Sequence, residues 1–286
     1  MDDANSGTPG RRPRYIGRNP RKFSEKYKEH APDRYPADIA KVIAAGKTPA
    51  GSHRPIMTAE IMGVLTPQPG ELAVDCTLGY GGHSIALLKA ILPGGRLLAL
   101  DVDPVELPRT RDRLQKQGFG QDVFTTAHSN FAGLLKLLPA PVDVILADLG
   151  LSSMQIDNPE RGFTFKHAGP LDLRLNPKRG QPASVLLSDI SAENLSRILI
   201  ENSDEPNADR IAAEIARKRP TTTTELAAAV RQCVADDSSV RRVFQALRIA
   251  VNDEFGALDQ LLRTLPLCLK PGGRVAILTF HSGEDR

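Results

Sequence analysis

Between residues 72 and 148 the apolar positions recur at two alternating periods, in short β-branched runs and in amphipathic stretches spaced for helices. Residues 72–77 read as a first strand and 83–91 as its helix, closed by Pro93-Gly94-Gly95. Residues 96–101 are a second strand. Pro104 opens the next helix at a position proline tolerates, and Pro108 predicts a delayed or kinked start. Residues 122–128, 130–138 and 142–148 continue the order as strand, helix and strand. Such alternation predicts an α/β fold, a parallel sheet with helices on both faces.

The pattern breaks after Asp148. A polar loop rich in Gly and Pro runs through Gln155 and Glu160-Arg161-Gly162-Phe163 to Gly169-Pro170-Leu171-Asp172-Leu173-Arg174. A loop of that length is unusual unless it contacts something, and it leaves the strand end where open α/β sheets bind ligands. From 155 to 240 the only regular patterns are helical, at 192–201, 208–218 and 224–234, which predicts a helical insertion domain after strand four. Residues 240–265 read as one long helix returning to the sheet. Leu269-Lys270-Pro271-Gly272-Gly273 then turns into strand five, 274–280. The expected division is an N-terminal arm over 1–52, a sheet domain from 53–154 and 241–286, and the insertion, 155–240.

With 286 residues, 41% hydrophobic and 25% charged, the chain has the composition of a globular protein with ample core. No apolar run approaches a membrane span, and no signal-peptide core follows Met1-Asp2-Asp3. Cys76, Cys233 and Cys268 are far apart and form no metal-ligand spacing, so no metal is expected. Sparse cysteine suits a reducing cytoplasm. The net charge of +3 is unevenly placed. Arg11, Arg12, Arg14, Arg18, Arg21, Lys22, Lys26 and Lys28 face only Glu25, and Tyr15, Phe23 and Tyr27 lie among them. That arm either neutralises phosphates and stacks on exposed bases of a nucleic acid, or is a solvated tail.

Gly79-Tyr80-Gly81-Gly82-His83 follows strand one and opens a helix, so backbone N–H groups approach a ligand beside the positive helix end. Asp101 ends strand two at the spacing expected of a carboxylate that accepts both hydroxyls of a ribose. Taken alone, this does not separate NAD from S-adenosylmethionine. Asp75, placed to hold the loop or meet a cation, and Asp148, at the end of strand four where a methyl acceptor would sit, favour the sulfonium cofactor. His83 is either a cofactor contact or only a residue of the helix start. Phe131 is either laid against an adenine ring or part of the core.

Thr77-Leu78-Gly79-Tyr80-Gly81-Gly82-His83-Ser84, Asp148-Leu149-Gly150-Leu151-Ser152-Ser153-x-Gln155, the two runs of the long loop, Phe244-Gln245-Ala246-Leu247-Arg248-Ile249-Ala250-Val251-Asn252-Asp253-Glu254 and Phe280-His281-Ser282-x-Glu284-Asp285-Arg286 resemble the bacterial 16S rRNA cytosine-N4 methyltransferases. The resemblance runs in order from His53-Arg54-Pro55 to the last residue. It implies a Rossmann-like class I methyltransferase domain carrying the insertion, S-adenosyl-L-methionine as cofactor, and a cytosine in small-subunit rRNA as substrate. It also implies that Gly81, Gly82, His83, Asp101, Phe131, Asp148 and Gln155 hold the cofactor. The chain departs from the family pattern at Gly283, around Asp204-Glu205-Pro206-Asn207 and at Ser239-Val240, which bears on substrate details. Family members continue past the Glu-Asp-Arg run, so the chain is expected to be truncated or unusually short, with strand five beside an unpaired edge prone to association.

The exocyclic amine of cytosine is a poor nucleophile, because its lone pair is delocalised into the ring. Catalysis needs acceptors for its N–H bonds and in-line placement of the methyl group. Asp148 is the candidate acceptor. Asp172 and Arg174 are either catalytic or an ion pair bracing the loop. His281, Ser282 and Asp285 either meet the target or form a terminal hydrogen-bond cluster. The competing functions are a non-catalytic rRNA-binding assembly factor and an NAD-dependent oxidoreductase.

Overall fold

The computed structural model describes residues 55–285, so the basic arm and its expected phosphate contacts lie outside the described residues. Helix α1 (Thr58–Leu65) precedes β1 (Leu72–Asp75), α2 (Gly82–Ile91), β2 (Arg96–Asp101), α3 (Glu106–Lys116) and β3 (Phe124–His128). A 3-10 turn (Phe131–Gly133) then leads into the short α4 (Leu134–Leu137) and β4 (Val142–Asp148). The five strands, closed by β5 (Leu269–Leu278), form one sheet in the order β3-β2-β1-β4-β5, with every neighbouring pair parallel. The order reverses direction between β1 and β4, and that switch point opens a crevice at their carboxyl ends.

Alternation along the strands explains the layers. Ala73, Leu97, Ala99, Val144 and Leu146 face a core completed by α1, α2 and α3 through Ile61, Leu65, Leu87, Leu88, Ile91, Leu107 and Leu114. Val74, Leu100, Ile145 and Ala147 face the other way, onto Leu134 and onto Leu258 and Leu261. The expectation about Pro108 holds in its first form. Helix α3 starts at Glu106, and Pro108 sits in its first turn, where a missing N–H breaks no bond.

Between β4 and β5 come α5 (Ser153–Asp157), a 3-10 turn (Pro159–Arg161), α6 (Ala183–Asp189), α7 (Ala192–Ser203), α8 (Ala208–Lys218), α9 (Thr223–Cys233), α10 (Asp237–Asn252) and α11 (Glu254–Cys268). A separate apolar core, from Phe163 through Leu195, Ile211, Leu226 and Val243 to Leu247, holds the helical part together. Helix α9 begins with a reciprocal cap in which Thr222 accepts from the Glu225 backbone and Glu225 accepts from that of Thr222.

Two expectations are corrected. The long helix over 240–265 is two helices, because Asp253 adopts φ 49°, ψ 48° and ends α10 with its N–H on the Ile249 carbonyl. The expected turn before strand five is folded into β5. Val142 pairs with Leu269 and Val144 with Arg274, so residues 270–273 form an irregularity within the strand. Among the described residues β5 pairs only with β4 and stands at one end of the sheet. A short helix, α12 (Ser282–Asp285), follows it.

Candidate active site

The turn after β1 is built from backbone bonds to its neighbours. Leu78 donates its N–H to the Leu100 carbonyl at 2.7 Å, and Gly79 donates to Asp101 Oδ2 at 2.8 Å. Helix α3 holds the turn from outside, since Thr110 donates to the Gly79 carbonyl at 2.6 Å and Arg113 to that of Tyr80. Gly81, at φ 67°, caps α2, and a Cβ there would lie 2.9 Å from Leu114 Cδ1 and 3.0 Å from Thr110 Cγ2. Its role is close approach to α3, and it lies outside the cavity lining.

Gly82, His83, Asp101, Phe131, Asp148 and Gln155 do line one continuous cavity over the carboxyl ends of β1, β2 and β4. Asp101 is doubly tied, with Oδ2 on Gly79 and Oδ1 accepting from the Asp103 N–H at 2.8 Å. Loss of water raises its carboxyl to about 6, although both N–H groups pull it down. Each oxygen keeps a second lone pair for a hydroxyl donor. Phe131 stands in the 3-10 turn that Asn130 caps by accepting from the Ala132 N–H at 2.9 Å. Gln155 Oε1 accepts from the Ser152 N–H at 3.0 Å, and its amide donates to Asp103 Oδ2 at 2.9 Å.

Asp148 is fixed through its backbone, which donates to Thr77 Oγ1 at 2.7 Å. Its Oδ2 lies 3.4 Å from His83 Nε2, whose side chain is 7% exposed. Asp148 Oδ1 and His83 Nε2 are buried and have no hydrogen-bond partner among the described residues. Unpaired buried polar atoms on two residues that line a cavity suit a ligand that brings its own polar groups. A ribose at Asp101, an aromatic ring at Phe131 and a compact cation near Asp148 are the parts of S-adenosylmethionine, and the residues fit it.

Asp75 and the Asp172–Arg174 pair brace their loops. Asp75 accepts from the Thr77 N–H at 3.0 Å and from Ser84 Oγ at 2.6 Å, so it holds the loop. Burial pushes its carboxyl up. Arg174 makes a forked pair with Asp172 at 2.7 and 2.8 Å and also donates to the Gly180 carbonyl, bracing the long loop away from the cavity. His281 lies 3.2 Å from Glu284, but both its ring nitrogens are buried without a hydrogen-bond partner among the described residues. Ser282 Oγ bonds Asp204 Oδ2 at 3.4 Å, and Asp285 accepts from Thr279 at 2.6 Å.

The cavity extends past the cofactor half onto Gly150, Leu151, Asn252, Glu254, Phe255, Phe280 and Glu284. Sequence reasoning gave these seven no role, although each lies within or beside a run that carried the resemblance. Phe280 is 55% exposed at this end and packs near Gly150, whose added Cβ would lie 3.6 Å from its ring.

The family model described as the MraW methylase family matches residues 50–286. A protein of Alkaliphilus metalliredigens named ribosomal RNA small subunit methyltransferase H 2 is 49% identical, covering 96% of this chain and 84% of its own. One of Agathobacter rectalis, named ribosomal RNA small subunit methyltransferase H 1, is also 49% identical with the same coverage. The corresponding protein of Acholeplasma laidlawii is 46% identical over 96% of this chain and 85% of its own. A cavity at the switch point of a parallel sheet, a loop long enough to wall it and likeness across the described chain lead to one conclusion: the chain belongs to the MraW methylase family.

Proposed function

We propose that this chain is an S-adenosylmethionine-dependent methyltransferase acting on N4 of a cytosine in 16S rRNA of the small ribosomal subunit. The observation that carries the reading is Asp148, a carboxylate at the end of β4 that lines the cavity with its side chain 27% exposed, one oxygen being unpartnered among the described residues. The cofactor, when bound, supplies an electrophilic methyl group on a sulfonium. Asp101 would hold the ribose hydroxyls and Phe131 would take the adenine, with Gly82 and Gln155 lining the same cavity. The Asp148 carboxylate accepts an N–H of the cytosine amine, which localises the nitrogen lone pair, and takes up the proton that the amine releases. His83 Nε2 lies 3.4 Å from Oδ2, beside the carboxylate.

The helical part is the substrate-recognition domain, because its loop, through Leu175, and the end of α10, through Asn252, wall the acceptor end of the cavity. An extruded base enters between it and the sheet. The enzyme works in the cytoplasm, with its RNA. Among the described residues no helix is long and apolar enough to cross a membrane. Mass spectrometry of rRNA nucleosides decides the product. Purified protein, cofactor and 16S rRNA or small subunits should yield N4-methylcytidine, and 5-methylcytidine or labelled protein alone would refute the reading.

A further inference from the structure

Asp103 is fully buried two residues beyond Asp101, and its carboxylate is divided between two parts of the fold. Oδ1 accepts from the Val105 and Glu106 N–H groups at 2.8 and 3.3 Å and so caps α3. Oδ2 accepts from Gln155 Nε2 at 2.9 Å and from Arg161 Nη1 at 2.7 Å. Arg161 crosses the long loop, and its Nη2 donates to the carbonyls of Arg174 and Leu175 at 3.3 and 2.8 Å. The Leu175 N–H in turn donates to Asn252 Oδ1 at 2.7 Å, at the break between α10 and α11. Asp101, at one end of this path, and Leu175 and Asn252, at the other, line the same cavity.

We infer that Arg161 is a positioning residue that couples the cofactor end of the cavity to its RNA end, through Asp103 on one side and the Leu175 backbone on the other. The inference rests on the function proposed above. Its physical basis is the forked guanidinium. One nitrogen fixes Asp103, whose N–H bonds Asp101, and the other fixes the backbone beside the acceptor, so order imposed at either end is passed on. A simple filler of the interior would bond to one partner, whereas Arg161 bonds Asp103 and two carbonyls of the long loop. A lysine here keeps the charge for Asp103 but cannot reach both carbonyls as well.

The test measures binding of S-adenosylhomocysteine by calorimetry, with and without whichever of free 16S rRNA or small subunit supports methyl transfer. In the natural protein RNA should tighten the ligand by about 5-fold or more, within the usual range of coupling between sites. In Arg161→Lys that factor should fall to about 2-fold or less, while affinity without RNA stays within about 3-fold and KM for RNA rises more than kcat falls. The double variant Asp103→Asn with Arg161→Gln leaves no unpaired buried charge, and should lose the coupling in the same way should the lysine variant melt early. A coupling factor of one in the natural protein, or an unchanged factor in these variants, overturns the inference. Absence of methyl transfer to either RNA form would instead overturn the proposed function.

Discussion

Loss of water raises the Asp101 carboxyl to about 6, from an ordinary value of 3.8, and ribose hydroxyls donate more strongly, and to both oxygens, when it is charged. Cofactor affinity should therefore weaken as pH falls below about 6, and Asp101→Asn should flatten the dependence; calorimetry between pH 5 and 8 reads both. Without ligand the sign is opposite. The folded protein holds this proton more tightly than the unfolded chain, so the group's contribution to stability is greatest below the ordinary value and is lost as pH rises through about 6. Asp101→Ala should weaken cofactor binding by about 1.5–3 kcal/mol through the charge-assisted hydrogen bonds it removes. Asp148→Asn keeps the shape but halves the acceptor capacity. Turnover should fall about 100- to 1,000-fold with cofactor affinity nearly unchanged, and equal losses in both would make Asp148 a cofactor ligand alone.

Asn252 joins elements that the chain brings together from far apart. Its Oδ1 accepts from Leu175, and its Nδ2 donates to the carbonyls of Leu173 and Arg248, both at 2.8 Å. Asn252→Ala should cost about 1–3 kcal/mol of stability, measurable by urea unfolding, because buried backbone groups are left unpaired. Much at this scale was legible in the sequence. Strands Arg96–Asp101 and Val142–Asp148 and helix Ala208–Lys218 have the bounds that their periodicity predicts, since each is buried with a single period. The break at Asp253 was not legible, because a left-handed aspartate leaves the apolar spacing on either side unchanged. Gly81 shows the same limit for the site. A glycine facing a ligand and one facing a helix read alike, and only Leu114 and Thr110 across from it decide between them. Asn252, Glu254, Phe280 and Glu284 meet the cavity through tertiary arrangement, which no local pattern encodes.

Across the whole molecule, charge and connectivity matter more than any one interaction. The basic residues between 11 and 28 should bind phosphates of the RNA. Removing residues 1–50 should reduce the slope of log K against log salt by roughly 0.7 for every single-strand phosphate that the arm neutralises, and an unchanged slope would make the arm a spectator. Connectivity is most unusual at the pairing of β4 with β5. Asp148 and Leu278 are neighbours in the sheet, yet the entire helical part lies between them. Closing a flexible loop of about 120 residues costs on the order of 4 kcal/mol in chain entropy, against about 2 kcal/mol for one of ten. A helical part that has already folded around Phe163, Leu195 and Leu226 brings its two ends toward the shorter case. On the ribosome, β4 then waits with one edge open while its partner is still being synthesised. Assembly of the helices first lowers the cost of docking the last strand, so a mutation in their core should appear as slow maturation of the sheet.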